Sequence, residues 1–313
     1  MSHSRRKMIL SMPLRSTTRQ CWSSQRRLFS ASASLPVELS YQLIEPPSAQ
    51  DTKRNGQPIV FMHGLFGSKR NNRSISKALA RDLNRNIYIV DLRNHGDTGH
   101  SPGHTYTHIA DDVAQFIKQH RLGKTVLIGH SMGAKTAMTL ALQSPETITG
   151  LIPVDNAPVN AGLGSSFFEY VKGMREIEAA RVAKTSEADK ILTKYEPSLP
   201  IRQFLLTNLI RDPDNDNKTM KFRVPLDTLG SALDHMADFP FSQSDPGATY
   251  NGPTLFVRGL QSTYVGEKTI HAIRKFFPNA QIADIEAGHW VISEKPEEFR
   301  QAVLKFFREN TIE

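Results

Sequence analysis

The sequence contains a single cysteine, and this scarcity limits the chemistry available to the protein. Cys21 lies within the first 37 residues, a stretch that also contains no aspartate or glutamate. If this stretch is removed from the mature protein, no thiol remains for a disulfide, a cysteine nucleophile or a cysteine-based metal site. The chain also lacks any run of 18 apolar residues, so the sequence predicts no transmembrane segment.

Sequence motifs for nucleotides, redox cofactors and catalytic metals are absent as well. The chain has no Gly-x-Gly-x-x-Gly, no P-loop pattern and no His-Glu-x-x-His. We therefore expect neither a cofactor nor a bound metal ion. The net charge of +8 would favour an anionic partner, but seven of the 39 basic residues lie in the first 37 positions. The remainder carries 32 basic and 31 acidic residues, so we expect no binding to nucleic acid.

The N-terminal stretch has the composition of an organellar targeting sequence. It is rich in arginine and serine and lacks the long apolar segment of a secretory signal. The segment "RRLFSAS" is similar to the stretch found at mitochondrial presequence cleavage sites. We interpret residues 1–36 as a mitochondrial transit peptide, with the mature chain starting between Ser30 and Val37. A basic tail without a targeting role is the alternative. The seven basic residues are Arg5, Arg6, Lys7, Arg15, Arg19, Arg26 and Arg27.

Residues 37–313 alternate between buried-strand patterns and helical patterns. Four short apolar runs each end at a turn, and helix-period segments separate them. This alternation predicts an α/β fold with a mostly parallel sheet and helices on both faces. The four runs are "PIVFMHG" (58–64), "NIYIVDLRNHG" (86–96), "KTVLIGHSMG" (124–133) and "TGLIPVDNAP" (149–158).

The alternation stops at about residue 159 and resumes at about residue 247. The intervening segment is helical in pattern and is interrupted by proline and by "RDPDNDN". A strand at 254–257, a helix near 266–277, a strand at 280–285 and a helix at 296–309 follow. We interpret residues 159–247 as a helical cap inserted into a single α/β domain.

The strongest chemical motif is "GHSMG", from Gly129 to Gly133. A buried strand pattern precedes it and an alanine-rich helix pattern follows, as in the nucleophile turn of serine hydrolases. We predict that Ser131 is the nucleophile and that the Met132 N–H, at the start of the helix, contributes to an oxyanion hole. The loop "HGLFGS" predicts the second donor, the N–H of Leu65. A structural turn with a passive serine is the alternative.

A serine nucleophile needs a base within hydrogen-bond reach. "IEAGHW" places His289 after the last strand pattern, in the chain order of nucleophile first and base last. His271 and His235 are weaker candidates for this base. We expect structural roles for the histidines at positions 63, 95 and 130. We also expect Trp290, next to His289, to contribute to the substrate pocket.

The sequence marks the position of the acid less clearly than the positions of the serine and the histidine. In most hydrolases of this type a carboxylate follows the strand that corresponds to 254–257, but residues 261–264 are "QSTY". "VDNAP" places Asp155 at the end of the strand that follows the nucleophile helix, at the same edge of a parallel sheet. We predict that Asp155 orients His289. A helix-capping Asp155, or an Asp155 that anchors the cap, with Glu267 as the acid, is the alternative.

These motifs together resemble the mitochondrial α/β-hydrolase family that includes the abhydrolase-domain-eleven proteins. Bacterial acyl-thioesterase-like esterases and yeast ethanol acetyltransferases are similar too, and the resemblance covers about residues 38–310. It implies an α/β-hydrolase fold and an acid after the strand that follows the nucleophile. The segments that carry it are "HGLFGS", "DLRNHGDTGHS", "GHSMGAKTAM", "VDNAP", "IRQFLLTNL" and "AGHW".

The sequence therefore predicts a serine hydrolase for esters or thioesters of short to medium acyl groups. An alcohol acyltransferase with the same residues is the first alternative, and a non-catalytic mitochondrial interaction protein is the second. The expected partner is a small-molecule acyl ester or thioester. The sequence leaves the acyl chain, the leaving group and the oligomeric state open.

Overall fold

The computed structural model describes Met1, residues 36–47, 56–161, 166–212 and 218–310, and Ile312. The chain divides into the units Met1–Ala33 and Ser34–Glu313, and every helix and strand reported below belongs to the second. The predicted transit peptide lies outside the described residues except for Met1 and Pro36.

A seven-stranded, mostly parallel sheet forms the centre of the second unit. Its strands are β1 (Tyr41–Ile44), β2 (Ile59–Met62), β3 (Ile87–Val90), β4 (Thr125–His130), β5 (Ile148–Val154), β8 (Thr254–Gly259) and β9 (Ala280–Ile285). Their order across the sheet is β1-β3-β2-β4-β5-β8-β9, and among these described strands only β1, at the edge, runs antiparallel to its neighbour. This topology confirms the predicted α/β fold.

Along the central strands, successive side chains belong alternately to two separate apolar cores. In β2, Ile59 and Phe61 belong to one core, whereas Val60 and Met62 belong to the other. Both faces of the sheet are therefore covered, which explains why the strands read as continuous apolar runs. On the Ile59 face lie α1 (Arg73–Leu83) and α11 (Pro296–Asn310); on the other lie α2 (Tyr106–Gln119), α3 (Met132–Gln143) and α9 (Glu267–Phe276).

Between β5 and β8 the chain leaves the sheet and forms the predicted cap. Part of it, residues 162–165 and 213–217, lies outside the described residues. The described part adds to the helices a two-stranded antiparallel hairpin that the sequence pattern did not predict. Its elements are α4 (Ser166–Ala179), α5 (Thr185–Leu192), α6 (Leu199–Leu206), β6 (Leu209–Arg211), β7 (Met220–Phe222), α7 (Leu226–Ser231) and α8 (Leu233–Ala237).

Outside the sheet and the cap, a short helix, α10 (Val291–Glu294), follows the predicted catalytic histidine. Among the described helices, none has both the length and the apolar character needed to cross a bilayer.

Candidate active site

Ser131 lies in the turn between β4 and α3 with φ 55° and ψ −112°. These angles are strained for a residue that carries a Cβ, as expected for a nucleophile turn. A Cβ on Gly129 would overlap the backbone of Gly133, and a Cβ on Gly133 would lie 2.6 Å from the carbonyl oxygen of Met62. Both glycines of "GHSMG" are therefore needed for the chain to pack around Ser131.

The three predicted catalytic side chains form a continuous hydrogen-bonded chain. His289 Nε2 lies 2.9 Å from Ser131 Oγ, and His289 Nδ1 lies 2.6 Å from Asp155 Oδ2. The backbone carbonyl of His289 also accepts a hydrogen bond of 2.8 Å from the His130 ring. Burial lowers the pKa of His130 to about 4, so this neighbouring ring stays neutral beside His289.

Sheet register explains why Asp155 reaches His289. His130, the residue before the serine, pairs with Val154, the residue before the aspartate. Ser131 and Asp155 therefore leave adjacent strands at the same level of the carboxyl edge. The Ser131 N–H also donates to the Val154 carbonyl at 3.0 Å. Asp155 is fully buried, so its carboxylate contacts protein groups rather than solvent.

The segment after β8, which lacks a carboxylate, supplies donors to Asp155 instead. Ser262 Oγ donates to Asp155 Oδ2 at 2.5 Å, and the Gly259 N–H donates to Oδ1 at 3.1 Å. The alternative acid, Glu267, pairs with Arg258 at 3.1 Å, and 88% of its side chain is exposed. Sequence reasoning missed Ser262. The signal that could have found it is a hydroxyl residue at the position usually held by the acid.

Two aromatic rings flank His289. The Tyr264 ring lies 4.3 Å from the imidazole, with 30° between the planes. The Trp290 ring lies 5.8 Å from His289 and 4.6 Å from Phe204 of α6. Trp290 thus joins the segment around His289 to the cap. It does not line the cavity beside Ser131, and its contribution to the substrate pocket stays a prediction.

The two predicted oxyanion donors lie beside Ser131, the predicted nucleophile. Leu65 and Met132 line the same cavity as Ser131. Within the described part of the chain, neither of their N–H groups has a hydrogen-bond acceptor. The loop that contains Leu65 packs closely against Ser131, since a Cβ on Gly64 would lie 3.2 Å from the Ser131 Cβ. Both N–H groups are therefore available to an oxygen bound at Ser131.

Buried neutral histidines hold the loop "HGLFGS" (residues 63–68), which carries Leu65, in place. His63 donates from Nδ1 to the Gly64 carbonyl at 2.8 Å and accepts from the Leu92 N–H at 3.0 Å. His95 accepts from the Phe66 N–H at 3.1 Å, and Phe66 has a left-handed φ of 60°. Burial lowers the pKa of both histidines, which keeps the accepting nitrogens free of a proton.

A small cavity adjoins Ser131. Its volume is about 20 Å³, close to the space that one water molecule occupies. Lys135, one helical turn after Ser131, also lines it, and burial lowers the pKa of this lysine to about 8. The lining residues are Leu65, Tyr106, Ser131, Met132, Lys135, Asn156, Ala161, Phe167, Met236 and Tyr264.

The strand-turn-helix setting of Ser131, the late histidine and the parallel sheet are the features of an α/β hydrolase. The family model for the alpha/beta hydrolase fold matches residues 57–296. The chain belongs to the α/β-hydrolase family, in the group that contains the ABHD11 proteins. The resemblance found in the sequence is thereby confirmed.

Individual relatives point to ester chemistry. The chain is 41% identical over 276 residues to the sn-1-specific diacylglycerol lipase ABHD11 of Mus musculus, covering 87% of this chain and 85% of the relative. It is 30% identical over 309 residues to ethanol acetyltransferase 1 of Cyberlindnera fabianii, covering 93% and 92%. Among solved structures, a marine microorganism esterase superimposes with a TM-score of 0.78 at 29% identity, covering 86% of this chain and 99% of that one.

Proposed function

We propose that this protein is a serine hydrolase that cleaves carboxylic esters or thioesters of short to medium acyl groups. Ser131 is the nucleophile, His289 the general base and Asp155 the acid that orients the histidine. The observation that carries the proposal is the pair of hydrogen bonds, 2.9 Å and 2.6 Å, that link the three side chains. The ester-hydrolysing relatives support the same reaction class.

The first half of the reaction forms an acyl-enzyme. His289 Nε2 removes the Ser131 proton as Oγ attacks the acyl carbonyl, and the N–H groups of Leu65 and Met132 stabilise the resulting oxyanion. Asp155 stabilises the imidazolium through Nδ1. When the tetrahedral intermediate collapses, His289 gives its proton to the leaving alcohol or thiol.

The second half releases the acyl group. Water approaches the acyl-Ser131 ester, His289 removes one of its protons, and the oxygen attacks the same carbonyl. Collapse returns the proton from His289 to Ser131 Oγ and frees the carboxylic acid. The same three residues and the same oxyanion donors therefore serve both halves of the reaction.

Replacement of the nucleophile tests this assignment. We expect Ser131→Ala to abolish both p-nitrophenyl ester turnover and labelling by a fluorophosphonate, with a loss of up to about a millionfold in kcat. Ser144→Ala, at the other end of α3, is the matched control and should retain both. Turnover within tenfold of wild type in Ser131→Ala would contradict the assignment. A wild-type protein that is neither labelled nor active would favour the non-catalytic interaction protein.

The size of the cavity favours short acyl groups. A volume of about 20 Å³ beside Ser131 is too small for a long acyl chain unless the surrounding side chains or the cap move. Hydrolysis of diacylglycerol, the substrate class in the name of the mouse relative, would require the cap to move away from the sheet. Comparison of acetyl, butyryl and octanoyl esters therefore measures both the substrate preference and the opening of the cap.

Acyl transfer to an alcohol is a second candidate function. The similarity to an ethanol acetyltransferase favours it, as do the apolar side chains of Leu65, Met132, Phe167 and Met236 in the cavity wall. A closed apolar pocket would exclude water and favour a small alcohol as acceptor. The test measures ethyl ester against free acid with ethanol present. A product ratio far above the ethanol-to-water ratio would replace hydrolysis with transfer as the main activity.

We also propose that the protein acts in mitochondria after removal of residues 1–36. The support is the composition of this stretch, with seven basic residues and no acid. N-terminal sequencing of the protein from isolated mitochondria should give a start between Ser30 and Val37. A protein that begins at Met1 or Ser2 and remains in the cytosol would contradict both the localisation and the processing.

A further inference from the structure

Lys135 is a buried cation that the proposed reaction does not use. It lies on α3, four residues after Ser131, and only 2% of its surface is exposed. Its ammonium donates to the carbonyls of Ala237 and Asp238, both at 2.8 Å. It also lies 5.4 Å from the centre of the Tyr106 ring. Burying an ammonium costs free energy unless its donors are satisfied, so these two carbonyl contacts determine where the side chain can lie.

The carbonyls that bind Lys135 belong to the place where the two ends of the cap meet. The Ala161 N–H, at the entry to the cap, donates to the Ala237 carbonyl at 3.0 Å. The Phe239 N–H, at the exit, donates to Asn160 Oδ1 at 2.7 Å. We call these two segments, residues 160–161 and 236–239, the cap junction.

Two side chains of the catalytic domain fasten the cap junction. Lys135 binds the Ala237 and Asp238 carbonyls, and the Tyr106 hydroxyl donates to the Met236 carbonyl at 2.9 Å. The three acceptors lie at the C-terminal end of α8 or directly after it, where carbonyls have no partner within the helix and attract a cation. The contact therefore joins the cap directly to the helix that carries the nucleophile.

The cap junction also forms part of the wall of the cavity. Ala161 and Met236 line it from the cap, and Lys135 and Tyr106 line it from the catalytic domain. The distance between these pairs is fixed by the same hydrogen bonds that hold the junction. The space beside Ser131 therefore depends on the Lys135 contact.

We propose that Lys135 is a specificity-determining residue that, with Tyr106, holds the cap junction against the nucleophile helix and restricts the acyl group on Ser131 to short chains. This inference rests on the proposed ester hydrolysis. Lys135 has no proton-transfer role in it. It acts through the position of Ala161 and Met236, which meet the acyl chain.

Lys135→Met tests the proposal with a side chain of similar length. The substitution removes both donors, and Asp238 then has no donor to its carbonyl within the described part of the chain, whereas Ala237 keeps the Ala161 N–H. Asp238 is exposed, so its carbonyl can bond to water once the ammonium is absent, and we expect the junction, now held by fewer contacts, to move toward solvent. The cavity should widen toward the cap.

The assay compares p-nitrophenyl acetate with p-nitrophenyl octanoate. We expect the ratio of kcat/KM for octanoate to that for acetate to rise about tenfold in Lys135→Met, the effect of one hydrogen bond to a charged group. Most of the change should appear in KM for the octanoate. Tyr106→Phe should move the ratio in the same direction by a smaller factor. Lys172→Met is the control, since this exposed cap lysine pairs with Glu169 at 3.8 Å and, among the described residues, has no hydrogen bond to the cap junction.

Active sites are titrated with a fluorophosphonate before each comparison, so that misfolded protein does not alter the ratio. Amide hydrogen exchange at Ala161 and Phe239 gives a readout independent of activity and should be at least about tenfold faster in Lys135→Met. A chain-length ratio within twofold of wild type in both Lys135→Met and Tyr106→Phe would overturn the specificity assignment alone. Unchanged exchange would show that Lys135 does not hold the junction. A wild-type protein without labelling or turnover would contradict the proposed function and this inference with it.

Discussion

Moving the carboxylate from Asp155 to position 262 tests whether an acid in the segment after β8 can orient His289 in place of Asp155. Asp155→Asn should lower kcat by about ten-thousandfold, because the amide cannot hold His289 in the tautomer that accepts a proton from Ser131. Ser262 Oγ lies only 2.5 Å from the Asp155 oxygen that binds the histidine. A carboxylate introduced by Ser262→Asp would therefore lie within reach of His289 Nδ1.

The double variant Asp155→Asn/Ser262→Asp should recover part of the lost rate. We expect kcat about tenfold to a hundredfold above that of Asp155→Asn, the effect of a regained hydrogen bond to a charged group. Removing the Ser262 hydroxyl alone, in Ser262→Ala, should lower kcat by about tenfold. The measurement is the pH profile of kcat for p-nitrophenyl acetate, which also reports the pKa of the catalytic base.

Glu267→Gln is the control for both experiments, because this residue pairs with Arg258 on the surface. A large loss of activity in Glu267→Gln, with little loss in Asp155→Asn, would refute the assignment of the acid. An unchanged kcat in Ser262→Ala would show that the hydroxyl contact does not influence catalysis.

Two further predictions concern stability and the oxyanion loop. Burial lowers the pKa of His104 to about 3 and that of His130 to about 4, below the ordinary value of 6.5. Below pH 6.5 the unfolded chain therefore binds more protons than the folded protein does. Lowering the pH to about 5 should reduce the free energy of unfolding by about 2 kcal/mol for each of the two histidines, as measured by urea unfolding. A rise in stability at this pH would contradict the prediction. Asn208→Ala removes a 2.7 Å hydrogen bond to the Phe66 carbonyl and should lower kcat about tenfold for acetate and octanoate alike. Asn279→Ala, which removes a surface bond of equal length, is the control, and equal losses in the two variants would refute a role for the loop contact.

The sequence was sufficient to predict the features that depend on local pattern. The strands β2 and β4 have both faces buried, so they appear as unbroken apolar runs. The turn at Ser131 needs glycine on both sides, and this requirement is visible in five consecutive residues. Asp155 follows from topology, because neighbouring parallel strands end at one edge of the sheet.

Features that depend on distant contacts could not be predicted in the same way. The edge strand β1 (Tyr41–Ile44) has one buried residue in four, so no apolar alternation marks it. The hairpin β6–β7 has only three residues in each strand. Lys135 lies in an alanine-rich helix, and its acceptors come 102 and 103 residues later in the chain. A pattern read along the chain contains no information about such a partner.

Two of the contacts between the cap and the α/β domain, those of Asn208 and Lys135, should act on different parts of the proposed reaction. Asn208 binds the loop that carries Leu65, so we expect this contact to influence the proposed oxyanion site and to affect every acyl chain equally. Lys135 binds the cap junction, so this contact influences the space for the acyl chain and should affect long and short chains differently. A single movement of the cap would break both contacts and change rate and selectivity together. The two variants separate these effects, because Asn208→Ala should leave the octanoate-to-acetate ratio unchanged while Lys135→Met raises it.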